Sequence, residues 1–193
     1  MSKPFSDLGI NKHLQQALAH LEISVPTDIQ EKTIPLVLNQ SEDLVVVAKT
    51  GTGKTVAFGV PLLQLIDIQN PNVQVVILAP TRELGQQIHA NLVAYASENP
   101  SISMASVCGG IPIKPQIERL KTPTHIVVAT PGRLVDLVKR GAINLKQLAS
   151  LVLDEADEMV SALKQDLDLI IKEIPKSRRT LLFTATLSGA IKQ

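Results

Sequence analysis

The chain has 193 residues, 45% apolar and 2% aromatic, with 19 Lys and Arg against 18 Asp and Glu. That length fits one domain able to bury a core without staples, and excludes a second domain of similar size. A formal charge of +1 excludes a bulk field that would pull the chain onto nucleic acid or anionic lipid, so any polyanion contact must be local. The lone cysteine, Cys108, rules out an internal disulfide framework and suits a reducing, cytoplasmic compartment. No apolar run approaches the roughly 20 residues that cross a bilayer, the first residues lack a signal-peptide core, and no membrane partner is expected.

In chain order, the periodicity predicts helices over 12–21 and 30–38, a strand over 44–48, and a helix over 53–67 that Pro61 should bend or interrupt. A strand over 73–79, a helix over 81–97 and a strand over 102–107 follow. Pro100, Pro112, Pro115 and Pro123 mark loops around that last strand. Then come a strand over 125–129, a helix over 132–139, a strand over 151–154, helices over 156–161 and 164–173, and a strand over 180–184. The strands are near-continuous Val, Ile and Leu rather than alternating. This predicts a mostly parallel sheet covered by helices on both faces, a doubly wound α/β domain.

Two segments carry chemistry. Ala48-Lys49-Thr50-Gly51-Thr52-Gly53-Lys54-Thr55 sits between a strand and a helix and matches the phosphate-loop pattern except at its first position, where Ala48 replaces glycine. Gly51 and Gly53 can take positive φ and let backbone N–H groups approach phosphate oxygens. Lys54 would meet the β and γ phosphates of ATP, Thr55 would supply a hydroxyl to Mg²⁺, and the helix dipole would point at the same anion. A plain glycine turn is the alternative. In the second segment, Leu151-Val152-Leu153 carries Asp154-Glu155-Ala156-Asp157 to the carboxyl end of a strand, the edge where open α/β sheets bind ligands. There Asp154 would hold the Mg²⁺ shell, partly through water, and Glu155 would orient or deprotonate an attacking water. An acidic helix start stabilised by the dipole would also account for both carboxylates.

With Pro26-Thr27-Asp28-Ile29-Gln30, Pro80-Thr81-Arg82-Glu83-Leu84, Gly109-Gly110, Thr130-Pro131-Gly132-Arg133 and Thr184-Ala185-Thr186 in order, the chain resembles the first RecA-like domain of a DEAD-box ATP-dependent RNA helicase over nearly its whole length. The resemblance implies a P-loop NTPase architecture, with an adenine-recognition segment over about 1–31 and a P-loop core over about 32–193. It implies that Gln30 reads the adenine edge, that Phe5 stacks on the ring, and that Thr81, Arg82, Gly110, Thr130 and Arg133 grip an RNA backbone without a base code. It also implies that Thr184 and Thr186 bond Asp157 and relay nucleotide state to RNA. Blander readings stand beside these: Phe5 as an anchor for the terminus, Gln30 as a first-turn residue, Thr81 and Thr130 as helix N-caps.

The chain departs from the family at Glu22-Ile23, where glycine and an aromatic are usual, at Gly85, usually alanine, and at Thr184, usually serine. Gly85 is expected to cost its helix about 1 kcal/mol relative to alanine. Family helicases carry a second RecA-like domain that supplies an arginine finger. The 193-residue chain alone is therefore expected to bind nucleotide weakly and hydrolyse it barely. A free-standing nucleotide or RNA binder without turnover is the alternative, and a small-molecule kinase a third reading, without an evident acceptor pocket.

Overall fold

The computed structural model describes residues 3–49 and 51–186. The strands β1 Leu44–Val47, β2 Val75–Leu78, β3 Met104–Val107, β4 Ile126–Ala129, β5 Ser150–Asp154 and β6 Arg179–Thr184 form one sheet in the order β1-β6-β5-β2-β4-β3. Every neighbouring pair is parallel. All six predicted strands are present, each within two residues of its expected bounds.

Alternation along the strands explains why helices cover both faces. Val75, Ile77, Ile126, Val128, Val152, Leu181 and Phe183 belong to one core cluster, and Val76, Leu78, Val127, Ala129, Leu151 and Leu153 to the other. The first cluster is covered by α1 Lys12–His20, α2 Asp28–Asn39, α3 Lys54–Gln64 and α4 Arg82–Tyr95. The second is covered by α6 Pro131–Lys139, α7 Ala156–Ala162 and α8 Lys164–Glu173, with α5 Ile113–Leu120 packed at its margin. Phe58 of α3 meets Phe183 of β6 with ring centroids 5.0 Å apart and tilted by 59°, fixing the helix after the glycine loop to the sheet.

Two expectations change. The helix containing Pro61 is not interrupted: α3 continues to Gln64 with the single N–H that would have reached the Ala57 carbonyl lost, and the Leu65 N–H reaches the carbonyls of Pro61 and Leu62. Prolines 112 and 115 flank a helix start rather than a loop. Pro112 is the N-cap of α5 and Pro115 lies in its first turn, where no intrahelical donor is needed. Ile113, Ile117 and Leu120, at helical spacing, were its signal. Glu22, where the family usually has glycine, has φ 60°. It follows the C-cap of α1, with its N–H on the Ala19 carbonyl and the Ile23 N–H on the Leu18 carbonyl, a Schellman turn that a glycine would enter without Cβ strain.

Gly85 also has a packing reason. A Cβ there would lie 2.9 Å from Cys108 Sγ, which is buried at the end of β3. Overpacking of about 1–3 kcal/mol should outweigh the roughly 1 kcal/mol of helix propensity that alanine brings. Gly85→Ala is therefore expected to lower Tm in the wild-type background and to raise it in a Cys108→Ala background. Thermal melts of the four proteins measure the change of sign, and a rise in both backgrounds would show that the sulfur does not constrain the site.

Candidate functional site

The carboxyl edge of the sheet collects every described residue singled out by the sequence motifs except Gln30, which reaches it from α2, and Phe5. β1 ends at Val47 and the glycine loop begins at Ala48, whose N–H donates to the Thr184 carbonyl of β6 at 2.9 Å. Gly51 and Gly53 both have positive φ, 83° and 89°, as the phosphate-loop reading requires. Thr52 Oγ1 donates to the Lys49 carbonyl at 2.7 Å, closing the turn. Thr50 lies outside the described residues.

β6 lies between β1 and β5, so Val46 and Asp154 both pair in register with Phe183. Their backbones are two strand spacings apart, roughly 10 Å. The loop spans that gap, and Lys54, first residue of α3, places its Nζ 3.2 Å from Asp154 Oδ1, with both side chains buried. Among the described residues, no acceptor meets Lys54 Nζ in hydrogen-bond geometry. A buried ammonium with unused N–H donors beside a helix N-terminus fits phosphate oxygens. Thr55, half-buried next to it, and Asp154 are the oxygen donors that fit Mg²⁺. No cluster of three or more His, Cys, Asp or Glu able to hold a metal occurs among the described residues.

α2 clamps the loop from the side. The Thr27 N–H donates to Gln30 Oε1 at 3.1 Å, Gln30 Nε2 donates to the Gly53 carbonyl at 3.1 Å, and Thr27 Oγ1 donates to the Thr52 carbonyl at 2.9 Å. A Cβ at Gly53 would collide with Gln30 Nε2, a second reason for glycine there. The Gln30 side chain is only 2% exposed, and both ends of its amide are engaged within the protein, one by the Thr27 N–H and the other on the Gly53 carbonyl. Phe5 is 5% exposed and packs in the first core cluster, an anchoring contact for a segment that is also tied to α2 by the Lys3 N–H on Glu31 Oε1 at 3.0 Å.

The other half of the edge, beyond β2, β4 and β3, gathers the second group. Thr81 caps α4, its Oγ1 accepting the Leu84 N–H at 3.3 Å, and Arg82 follows it. Thr130 precedes α6 and its Oγ1 accepts the Gly109 N–H at 3.0 Å. Arg133 Nη2 donates to the Ile111 carbonyl at 2.9 Å, and Gly110 turns with φ 77° close to Arg82. Three helix or loop starts thus hold one another, leaving Thr81 and Gly110 exposed.

The DEAD/DEAH box helicase family model matches residues 27–193. The chain belongs to this family. It is 43% identical over 98% of its length to the ATP-dependent RNA helicase CshA of Limosilactobacillus reuteri, covering 38% of that protein. A crystal structure of a DEAD box protein from Methanococcus jannaschii superposes on the whole chain with a TM-score of 0.93 at 38% identity, over 53% of that protein. A Dbp5 variant from S. cerevisiae, bound to RNA and ADP BeF3, superposes at 0.89 with 27% identity over 49% of its length. The chain therefore spans half or less of the curated relatives it matches. Among the described residues of this DEAD-box chain, no helix is long and apolar enough to cross a membrane.

The tetrapeptide that names the family is also the electrostatically tense part of this domain. Glu155 is the N-cap of α7 with φ 54°, a left-handed conformation uncommon outside glycine, and its N–H donates to Asp154 Oδ1 at 3.0 Å. Burial pushes the Glu155 carboxyl above its usual range, helped by Glu158 and Asp154 and opposed by Lys54. Asp157 goes the other way. Burial would raise it, but the Thr186 hydroxyl and backbone N–H groups hold it below its usual value; of the two threonines expected to bond it, only Thr186 donates to its carboxylate. Thr186 Oγ1 donates to Asp157 Oδ2 at 2.9 Å, while Thr184 Oγ1 donates to the Thr186 carbonyl at 2.8 Å. The sequence motifs gave no role to the Thr27 hydroxyl or the Ile111 carbonyl. A threonine three residues before Gln30 was the available signal for the first; the second had none.

Because the fold binds the Glu155 proton more tightly than the unfolded chain does, this group favours folding below its ordinary value of 4.5 and loses that contribution as pH rises through the raised value. Glu155→Gln, neutral throughout, should melt above wild type at about pH 7 and level with it at about pH 4. Thermal melts at the two pH values check this, and an equal or lower Tm at the higher pH would contradict it.

Proposed function

We propose that this chain is the first RecA-like domain of an ATP-dependent RNA helicase, binding ATP with Mg²⁺ on one half of its sheet edge and an RNA backbone on the other. The carrying observation is how the strand order divides that edge. The loops after β1, β5 and β6 hold Lys54, Asp154, Glu155 and Thr184, and those after β2, β4 and β3 hold Thr81, Arg82, Thr130, Arg133 and Gly110. The Dbp5 relative, bound to both RNA and a nucleotide analogue, supports assigning two ligands to the two halves.

On this reading the glycine-loop amides and the α3 N-terminus cradle the phosphates, and Lys54 turns its unused N–H donors onto the β and γ oxygens. Thr55 and Asp154 hold Mg²⁺, which when bound neutralises charge developing on the phosphates. Glu155, its carboxyl raised by burial above the usual carboxylate range, orients or deprotonates the attacking water. Gln30, which braces Gly53 at 2% exposure, reads adenine only when the bound nucleotide uncovers its amide. Thr81, Arg82, Gly110, Thr130 and Arg133 meet RNA phosphates and riboses with hydroxyls, amides and guanidinium groups. These contacts carry no sequence information and need no large net charge. Asp157, tied to Thr186, lies between the water-activating carboxylate and the end of β6, where a change at the γ-phosphate can be passed on.

Rapid hydrolysis and local duplex unwinding require a second RecA-like domain of the parent protein, whose arginine finger is worth about 10³–10⁵ in rate. The cytoplasm is the proposed compartment, consistent with a single buried, unpaired cysteine. Glu155→Gln in a two-domain parent should leave ATP affinity within about threefold of wild type and lower RNA-stimulated hydrolysis by about 10²–10⁴. Titration with ATP and a phosphate-release assay separate the two effects. Turnover that survives the substitution would place water activation elsewhere.

A further inference from the structure

We infer that Arg179 is a positioning residue for the nucleotide half of the site, acting at a distance through α2. The inference rests on the proposed nucleotide role of the glycine loop. Arg179 opens β6, at the end of the strand opposite the site, and is only 9% exposed. Its guanidinium donates from Nε to the Glu42 carbonyl at 2.6 Å, from Nη1 to Val37 at 2.8 Å and from Nη2 to Leu36 at 3.2 Å. Leu36 and Val37 lie in the last turns of α2, where the dipole is negative, and the Leu36 carbonyl also accepts the N–H of the C-cap Gln40 at 3.1 Å. The cation therefore caps that helix from the sheet.

The other end of α2 is the end that clamps the loop. Gln30 and Thr27 hold the carbonyls of Gly53 and Thr52, about 9–15 Å along the helix from the carbonyls that Arg179 caps. β6 thus holds the loop twice: its far end accepts the Ala48 N–H through Thr184, and its near end fixes α2, which fixes Gly53. Thr180 tightens the same corner, its N–H donating to Asp43 Oδ1 at 2.6 Å. A lysine could reach one of these carbonyls, but three divergent ones call for the planar fork of arginine. Loss of that fork frees the α2 C-terminus to slide along the sheet, and the Gln30 amide moves with it.

A purely structural arginine would change Tm and leave ligand affinity untouched at temperatures where the variant is folded. The test titrates a fluorescent ADP with Mg²⁺ into the 193-residue chain and its Arg179→Met, Arg179→Lys and Gln30→Ala variants, well below the lowest Tm. Arg179→Met should weaken binding about tenfold, near the upper worth of one hydrogen bond, and Arg179→Lys, which keeps the charge, by about threefold. Adding Arg179→Met to Gln30→Ala should cause no further loss, because both act on Gly53. A lowered Tm with unchanged affinity in both Arg179 variants overturns the proposal, as does full additivity with Gln30→Ala. Lys54→Ala serves as the reference. If it too leaves affinity unchanged, the nucleotide reading itself is wrong and the Arg179 proposal falls with it; if it abolishes binding while the Arg179 variants bind normally, only the positioning role fails.

Discussion

The buried pair of Lys54 and Asp154 is the constraint around which the rest of this edge is arranged. Two opposite charges 3.2 Å apart, with side chains 6% and 4% exposed, give up much of their hydration. Their mutual attraction offsets that cost only where further hydrogen bonds complete both groups. Asp154 gains one from the Glu155 N–H, whereas Lys54 gains none in good geometry among the described residues. An under-satisfied ammonium is poor design for stability alone and good design for receiving phosphate. Removing either partner would leave the other buried and uncompensated, typically a loss of about 3–5 kcal/mol.

The pair forms because of the strand order. Inserting β6 between β1 and β5 sets the two halves of the proposed phosphate site two strand spacings apart, so the loop must arch over the end of β6 and the lysine must reach back. That same strand then carries Thr184 beneath the loop and Arg179 beneath α2, making β6 the frame on which the nucleotide end is hung. β2, adjacent to β5, begins the other half, so the proposed hydrolysis and RNA ends share one sheet. Phe58 on Phe183 ties α3 into this frame through the first core cluster.

Much of this was legible in the residues. Runs of Val, Ile and Leu gave all six strands because buried parallel strands need apolar side chains on both faces, and the glycine loop and acidic tetrapeptide fell at strand ends as their patterns implied. What was not legible depends on tertiary partners. Phe5 reads equally well as a stacking ring or an anchor, and only the packing of the terminal segment shows it in the core. The left-handed turns at Glu22 and Glu155 carry no glycine to announce them. Gly85 looked like a flaw in a helix until Cys108, 23 residues on, was found to fill the space. Arg179 belongs to no motif, and its three carbonyl partners lie more than a hundred positions away in sequence.

The central claim is that Lys54 and Asp154 form one site, the first for phosphate and the second for the metal that accompanies it. Calorimetric titration of ATP into the chain and its Asp154→Asn variant, each with and without Mg²⁺, tests this most directly. Magnesium should tighten ATP binding to the wild-type chain, and that gain should collapse in the variant while metal-free affinity is retained. An equal response to Mg²⁺ in both proteins would contradict the account.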